Sequence, residues 1–556
     1  MPSPLRDALP AALRLGRLRL NRAGRQLRAN GPPAIGFWLV ALAVGIAAGL
    51  AALGFRLTVE AMEGAIYGSH DMLLADRTGR LPWPVVLFAP IFGGLIVGAI
   101  LHRYTPDGSV RSVADVIDGA ARRRGRVDVR AGLGSAAASM ITLSSGGSTG
   151  REGPVVHLAA VIASWVSNRI GADGITGRDL LGCAVAAAVA ASFNAPIAGM
   201  LFAHEVVLRH FALRAFAPIA LSAVAGAVLS RIVLGGGQEF VAPVDTLDFY
   251  VELPAFMILG VLSGLVAVVL MRAVFWSDDL GTALVRATGL PARLRPAVAG
   301  FLLGLIALWY PHIIGVGQAV TLAALNGEML LGTAIVFTVV KIVAVAITMA
   351  GRMGGGIFSP SLVVGALTGL AFGLIATALM PEQSSPVSLY ALAGTGAVAA
   401  AVLGAPISTT MIVFELTGEW QTGIAVLVSV SLSTAVASRL VSKSFFLSQL
   451  ERQNLRLAAG PQAWLLATIP VADVLRPPPD DPAAREALMT GRPGIDVGAS
   501  LDHAMRLFDT AASDRLPVVR GGAAGTEAEL VGVLHQIDAL RAFNQALSRQ
   551  AAEEHA

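Results

Sequence analysis

Charge is scarce in this sequence. Charged residues make up 14% of its 556 positions, against about 25% in a soluble globular domain. Most of the chain must therefore lie in lipid. Cysteine is nearly absent: Cys183 stands alone, which excludes an internal disulfide and a cysteine-based metal site. It reads as a small buried residue. Lysine is rare too, with Lys341 and Lys443 against abundant arginine; together with plentiful alanine and glycine this points to a GC-rich bacterial source. No metal-ligand spacing, nucleophile–base constellation or phosphate loop is visible, so the sequence supports neither an enzyme nor a metal site. The three glycines from Gly354 are not followed by Gly-Lys-Ser/Thr. No basic stripe with interleaved aromatics appears, which argues against a nucleic-acid partner.

What is abundant is apolar. The chain is 55% hydrophobic, with a mean hydropathy of +0.68 and 61 glycines. Apolar stretches recur near 36–55, 83–101, 179–203, 213–234, 253–276, 296–309, 331–350, 361–380, 388–414 and 423–441. Several reach the roughly 20 residues needed to cross a bilayer. Others are shorter or interrupted by Gly and Pro, as in close-packed and broken transmembrane helices. Seven arginines from Arg6 to Arg28 precede the first run. That run is too long for a cleavable signal, so residues 1–34 read as a basic cytoplasmic segment. A membrane region follows over 35–450, then a linker over 451–480 opening into "RPPPDDP", and a soluble domain over 481–556.

The membrane region repeats itself, over about 35–240 and 250–450. "FNAPIAGMLFAHEVV" begins at Phe193 and "LGAPISTTMIVFELTG" at Leu403. Glu205 follows Pro196 by nine residues, and Glu415 follows Pro406 by nine, an offset of 210 between copies. "GREGP" ends at Pro154 and "GIFSP" at Pro360, an offset of 206. Repeats with interrupted helices at matching positions point to a site near the bilayer midplane.

Non-helical backbone at membrane depth is tolerated only inside protein or beside a water-filled cavity. "SGGSTGREGP" and "GRMGGGIFSP" both read as such breaks, each with Pro in the first turn of the next helix. Free N–H groups at a helix start carry about half an elementary charge. Two such starts converging would hold an anion without a fixed charge. Glu152 stands at one of them. An ionisable residue at this depth is a functional candidate by default. Its carboxylate could occupy the donors an anion would use and be displaced by protonation or by the anion. The plainer alternative is a structural pair with Arg151.

At these residues the sequence resembles the CLC chloride channel and transporter family. Gly150-Arg151-Glu152-Gly153-Pro154 matches the family's gating-glutamate motif, and Gly356-Ile357-Phe358-Ser359-Pro360 its second anion-site motif. The resemblance covers roughly 35–450. It implies an all-α polytopic membrane protein of two inverted repeats with broken helices. It further implies a homodimer in the lipid bilayer with an anion path in each subunit, chloride being the family's usual anion, and no cofactor.

Three departures bear on function. The family's first anion-site motif, Gly-Ser-Gly-Ile-Pro, is replaced within "PDGSVRSVADVIDG". One register puts Val110-Arg111-Ser112-Val113-Ala114 on it, with Arg111 at the coordinating serine. A second puts Gly108-Ser109 on Gly-Ser and needs an insertion. In the first, Arg111 would bind the anion and pair with Glu152 in its absence; otherwise it would snorkel to the cytoplasmic interface. Secondly, Phe446 stands where the family has a coordinating tyrosine, so that hydroxyl is missing. Loss of the serine and tyrosine leaves nitrate, fluoride and bicarbonate open beside chloride. Thirdly, the family's proton-coupled exchangers carry a glutamate one residue after the position of Glu205. Here it is Val206, which cannot carry a proton, and His204 lies on another face of the helix.

The last region resembles one CBS motif, a small soluble α/β domain. Leu501, Ala504, Met505 and Phe508 recur at helical spacing. "LPVV" and "ELVGVL" read as strands, and "VADVL" at Val471 as a possible first strand. In nucleotide-binding relatives an Asp contacts ribose. Asp538 is at that place, but His535 replaces the usual hydroxyl, so an adenine nucleotide is possible and packing the plainer role. The reading is a passive, pH-sensitive anion channel of the bacterial inner membrane gated by Glu152, with N-terminus and CBS-like domain cytoplasmic. Its alternatives are an anion/proton exchanger with a different relay, or a ligand sensor with a vestigial pore.

Overall fold

In a computed structural model the described residues are 34–68, 81–211, 213–235, 252–382, 384–453, 455, 466, 469–489, 493–511, 513–520 and 529–555. The basic segment of the sequence reading lies outside them up to residue 33, as does 456–465 of the linker.

The first half contains α1 (Ala34–Tyr67), α2 (Trp83–Tyr104), α3 (Val113–Arg122), α4 (Val129–Ser144), α5 (Glu152–Ile170), α6 (Gly174–Phe193), α7 (Pro196–Phe202) and α8 (Leu213–Leu234). A π-helical turn, Ala203–Leu208, continues α7. The second half contains α9 (Leu253–Thr288), α10 (Arg295–Ala307), α11 (Gln318–Leu325), α12 (Leu331–Ala350), α13 (Phe358–Leu379), α14 (Val387–Leu403), α15 (Pro406–Thr417), α16 (Trp420–Leu440) and α17 (Phe445–Arg452). Among the described residues, eight helices are long and apolar enough to cross a membrane. With its 34 residues, α1 is about 50 Å long, more than the ~30 Å hydrocarbon core, so it must tilt or project. The short helices are the ones the Gly and Pro breaks create.

Small residues set the packing. A Cβ added at Gly300 on α10 would stand 2.1 Å from the Pro90 carbonyl oxygen of α2. Only glycine permits this approach, and close backbone contact is what holds helices together where lipid removes the hydrophobic drive. α6 and α14, at matching places in the two halves, are almost wholly buried.

The repeat seen in sequence is a reciprocal contact in space. Glu415 of α15 accepts from the Ile197 and Ala198 amides at the start of α7, at 2.9 and 2.8 Å. Glu205 of the turn after α7 accepts from the Ile407 and Ser408 amides at the start of α15, also at 2.9 and 2.8 Å. Each half thus supplies a carboxylate for the other's open helix start, where an anionic group is favoured. Together these features form an all-α polytopic membrane protein of two inverted repeats with broken helices.

The chain ends in a small α/β domain: α18 (Pro482–Met489), β1 (Ile495–Asp496), α19 (Leu501–Ala511), β2 (Arg515–Arg520), β3 (Glu529–His535) and α20 (Gln536–His555). Its sheet runs β1-β2-β3, parallel then antiparallel, with Ile495 opposite Val518 and Leu516 opposite Leu534. Leu501, Ala504 and Phe508 pack on Leu516, Val518 and Leu534. The helix and strands read from periodicity are present. The strand expected at Val471 is instead a 3₁₀ turn, Val471–Asp473. Isolated bridges flank it at Pro470–Ser500 and Arg476–Val533, so the segment touches the domain without joining its sheet.

Candidate functional site

The two breaks meet. The Gly150 amide donates to the Gly356 carbonyl at 2.8 Å and the Gly356 amide returns the bond at 2.8 Å. The antiparallel bridge ties the starts of α5 and α13 together from opposite halves. Backbone and side chains of the flanking helices supply further hydrogen bonds to the breaks: the Gly147 amide donates to the Thr142 carbonyl and the Met353 amide to the Thr348 carbonyl. Thr142 Oγ1 accepts from the Gly354 amide at 2.9 Å, and Thr348 Oγ1 from the Ser148 amide at 3.1 Å. Buried irregular backbone is thereby satisfied inside protein, as the bilayer demands. Gly355 has φ +134°, and a Cβ there would stand 2.0 Å from Thr149 Oγ1. Any other residue would be both strained and obstructed.

A cavity of about 560 Å³ opens beside this bridge. The first residues of four helices line it: Val113 of α3, Glu152 and Gly153 of α5, Phe358 of α13, and Phe445 and Phe446 of α17. Four helix starts aim their partial positive charge at one space. Ser112, Gly356 and Ile357 line it too, with Asp278, Asp279, Arg352 and Arg452 among its charged residues. Helix starts gathered on one chamber favour an anion.

Glu152 is 3% exposed. Ser359 Oγ donates to its Oε2 at 2.6 Å. Arg151 Nε stands 3.9 Å from its Oε1, the outer limit of an ion pair. The serine is therefore the closer partner. Phe358 packs in an aromatic cluster with Phe193 and Phe202, ring centroids 4.9 and 5.9 Å away.

The expected residues fall into three groups. Ser112, Val113, Glu152, Gly153, Gly356, Ile357, Phe358 and Phe446 share the cavity wall. Gly150 bridges to that wall and Arg151 stands behind Glu152. Arg111 corrects the expectation. Its guanidinium holds Asp107 Oδ1 at 3.0 Å and Asp115 Oδ1 at 3.4 Å, and it is not among the described lining residues. A permanent cation between carboxylates four residues before and four after it has its counter-charges locally. It therefore does not pair with Glu152. The sequence pattern also gave no warning of Arg352, Arg452 or the Asp278–Asp279 pair in the wall; only the tertiary fold gathers them.

Val206 is buried in the π turn. His204, two residues earlier, donates through Nδ1 to the His210 carbonyl oxygen at 3.1 Å and stacks on Phe211 and Phe216. It is not among the described cavity residues. In the C-terminal domain, Arg476 grips Asp538 through Nε at 2.6 Å and Nη2 at 2.9 Å. That guanidinium holds the Asp538 carboxyl below the usual carboxylate range. A ribose would have to displace it.

Broken helices meeting across inverted repeats, with a carboxylate at the junction, define a class of membrane protein built around a midplane site. The family model described as "Voltage gated chloride channel" matches residues 93–438. The chain belongs to this family, the CLC channels and transporters. It is 30% identical over 422 residues to the voltage-gated ClC-type chloride channel ClcB of Salmonella typhimurium, covering 73% of this chain and 97% of that one. It is 28% identical over 459 residues to the H+/Cl− exchange transporter ClcA of Cronobacter sakazakii, covering 79% and 94%. Among solved structures it superposes on a slow cyanobacterial Cl−/H+ antiporter with a TM-score of 0.67 at 22% identity, over 75% of this chain and 97% of that one.

Proposed function

We propose that this protein conducts small anions passively, chloride foremost, through a path gated by Glu152. The observation that carries the reading is the Glu152 carboxylate, buried at the start of α5 where the Gly150–Gly356 bridge joins both halves. There it occupies donors that an anion needs. Protonation or an incoming anion displaces it, so acid opens the path. Gly150, Gly153, Gly356, Ile357 and Phe358 supply the backbone of the anion site, Arg151 its nearby positive charge, and Ser112, Val113 and Phe446 its inner wall. Val206 supports channel over exchange, since a buried valine offers no proton acceptor. Exchange remains the second reading because the Cronobacter relative bears that name.

The protein works as a homodimer in the inner membrane, N-terminus and C-terminal domain cytoplasmic. The apolar, exposed Ile197, Ile407 and Leu427 fit a partner face on α7, α15 and α16. The CBS-like domain packs and assembles; the Arg476–Asp538 pair speaks against an adenine nucleotide there.

Reversal potentials of purified proteoliposomes under separate chloride and pH gradients test this. The expected potential follows chloride alone, and Glu152→Gln raises flux and flattens its pH dependence. Uphill proton movement driven by chloride would establish exchange instead.

A further inference from the structure

Ser359 is the one hydroxyl in "GIFSP", one residue into α13. It is 4% exposed, and its Oγ donates to Glu152 Oε2. A Cβ placed on Gly150 would lie 2.8 Å from that carboxylate oxygen and 3.0 Å from the Ser359 amide nitrogen. The Glu152 carboxylate that the Ser359 hydroxyl holds thus lies close to the first-turn amide of the same serine, beside the Gly356 carbonyl oxygen, 3.1 Å from that Cβ position. Donation to an ionised acceptor is the strong kind of hydrogen bond. If the carboxylate leaves, a buried hydroxyl needs another acceptor, and an anion taking the place of Oε2 is one. Ser359 itself is not among the described lining residues of the cavity, whose hydroxyls are those of Ser109, Ser112 and Thr282; it reaches the site through Glu152, which lines it. Phe446 has no hydroxyl, and Ser112 Oγ faces Gln449 Oε1 at 3.4 Å.

We propose that Ser359 latches Glu152 over the anion site and, once the carboxylate leaves, donates to the permeating anion in its place. The inference rests on Glu152 acting as the gate. Ser359 then holds the gate in position when closed and sets anion affinity when open. The charged group nearest the carboxylate is Arg151, with Arg352, Arg452, Asp278 and Asp279 lining the same cavity. None of these replaces a hydroxyl directed at Oε2.

The test is chloride efflux from liposomes holding the full-length protein, measured across pH and chloride concentration. It compares wild type, Ser359→Ala, Ser359→Thr, Glu152→Gln and Glu152→Gln with Ser359→Ala. Ser359→Ala raises neutral-pH efflux by roughly tenfold, the scale of one charge-assisted hydrogen bond. It also moves acid activation to higher pH, because the ionised carboxylate has lost a donor. Ser359→Thr restores both towards wild type. In the Glu152→Gln background the alanine adds no efflux and weakens half-saturating chloride several-fold. A wild-type pH profile and chloride affinity in Ser359→Ala, beside an activated Glu152→Gln, overturns the latch alone. An unaltered Glu152→Gln overturns the gate and the latch with it. If Ser359→Ala fails to fold, Ser359→Cys, similar in size and a weak donor, is read in its place.

Discussion

The two halves of the membrane region build matching broken helices and differ in the side chain that opens each one. Glu152 begins α5 in the first half; 206 residues on, Phe358 begins α13 in the second. Both helices start at a Gly-rich break, both carry Pro in the first turn, and the breaks bond to each other. Yet Glu152 reaches Ser359 across the junction, while Phe358 packs on Phe193 and Phe202. Duplicated geometry supplies the helix starts. The difference between acid and aromatic makes one start switchable and the other fixed.

Substitution at the paired positions sharpens that contrast. Phe358→Ala empties part of an aromatic cluster and should destabilise the protein by about 3 kcal/mol or more, read as a lower melting temperature in detergent. What flux survives should retain its pH dependence, because Glu152 is untouched. Glu152→Gln should do the reverse, altering pH dependence with little change in melting. If Phe358→Ala abolished the pH dependence, the division between switch and scaffold would fail.

The reciprocal caps give a symmetric test of smaller size. Glu205→Gln and Glu415→Gln each weaken two charge-assisted amide bonds at a helix start, Glu205 also losing a third from Ser408 Oγ, and each should lower stability by about 1–2 kcal/mol. Near-equal losses support structural equivalence of the halves. A change confined to Glu205 would single out the first half for a role beyond capping.

Much of this was legible in the sequence, and for particular reasons. The Pro-to-Glu spacing repeated at 210 residues marks the reciprocal caps because each glutamate must reach the other copy's helix start. Gly355 and Pro360 mark the broken helix because few other residues fit there. For Arg111, a motif register places a Cα, not a guanidinium, and the guanidinium lies between Asp107 and Asp115. Asp107 and Asp115 are both in the sequence four residues away, and their i±4 spacing was the available signal. Ser359 went unnoticed as Glu152's partner because their contact spans 207 residues, and nothing local couples them. The possible first strand at Val471 failed for a related reason: a short apolar segment becomes a strand only if an edge accepts it.

Arg111→Ser should change neither anion selectivity nor apparent affinity, since its guanidinium serves Asp107 and Asp115. A change in selectivity would return Arg111 to the site. The smallest effect belongs to the soluble domain. Arg476 holds Asp538 below the usual carboxylate range. The stabilisation this gives is complete above the ordinary aspartate value of about 3.9 and is lost as pH falls through the lower folded value. Hydrogen-exchange protection in β3, taken relative to the intrinsic rate at each pH, should therefore fall on acidification in wild type, and Asp538→Asn should remove the part of that response due to this pair.

The central claim is that the joined starts of α5 and α13 hold an anion for which the Glu152 carboxylate competes. Anomalous bromide scattering from crystals of wild type and Glu152→Gln measures it directly. A bromide peak is expected beside Ser359 and the Gly150–Gly356 bridge, weak in wild type and strong in the variant. Equal peaks in both proteins, or bromide bound elsewhere in the variant with that junction empty, would contradict it.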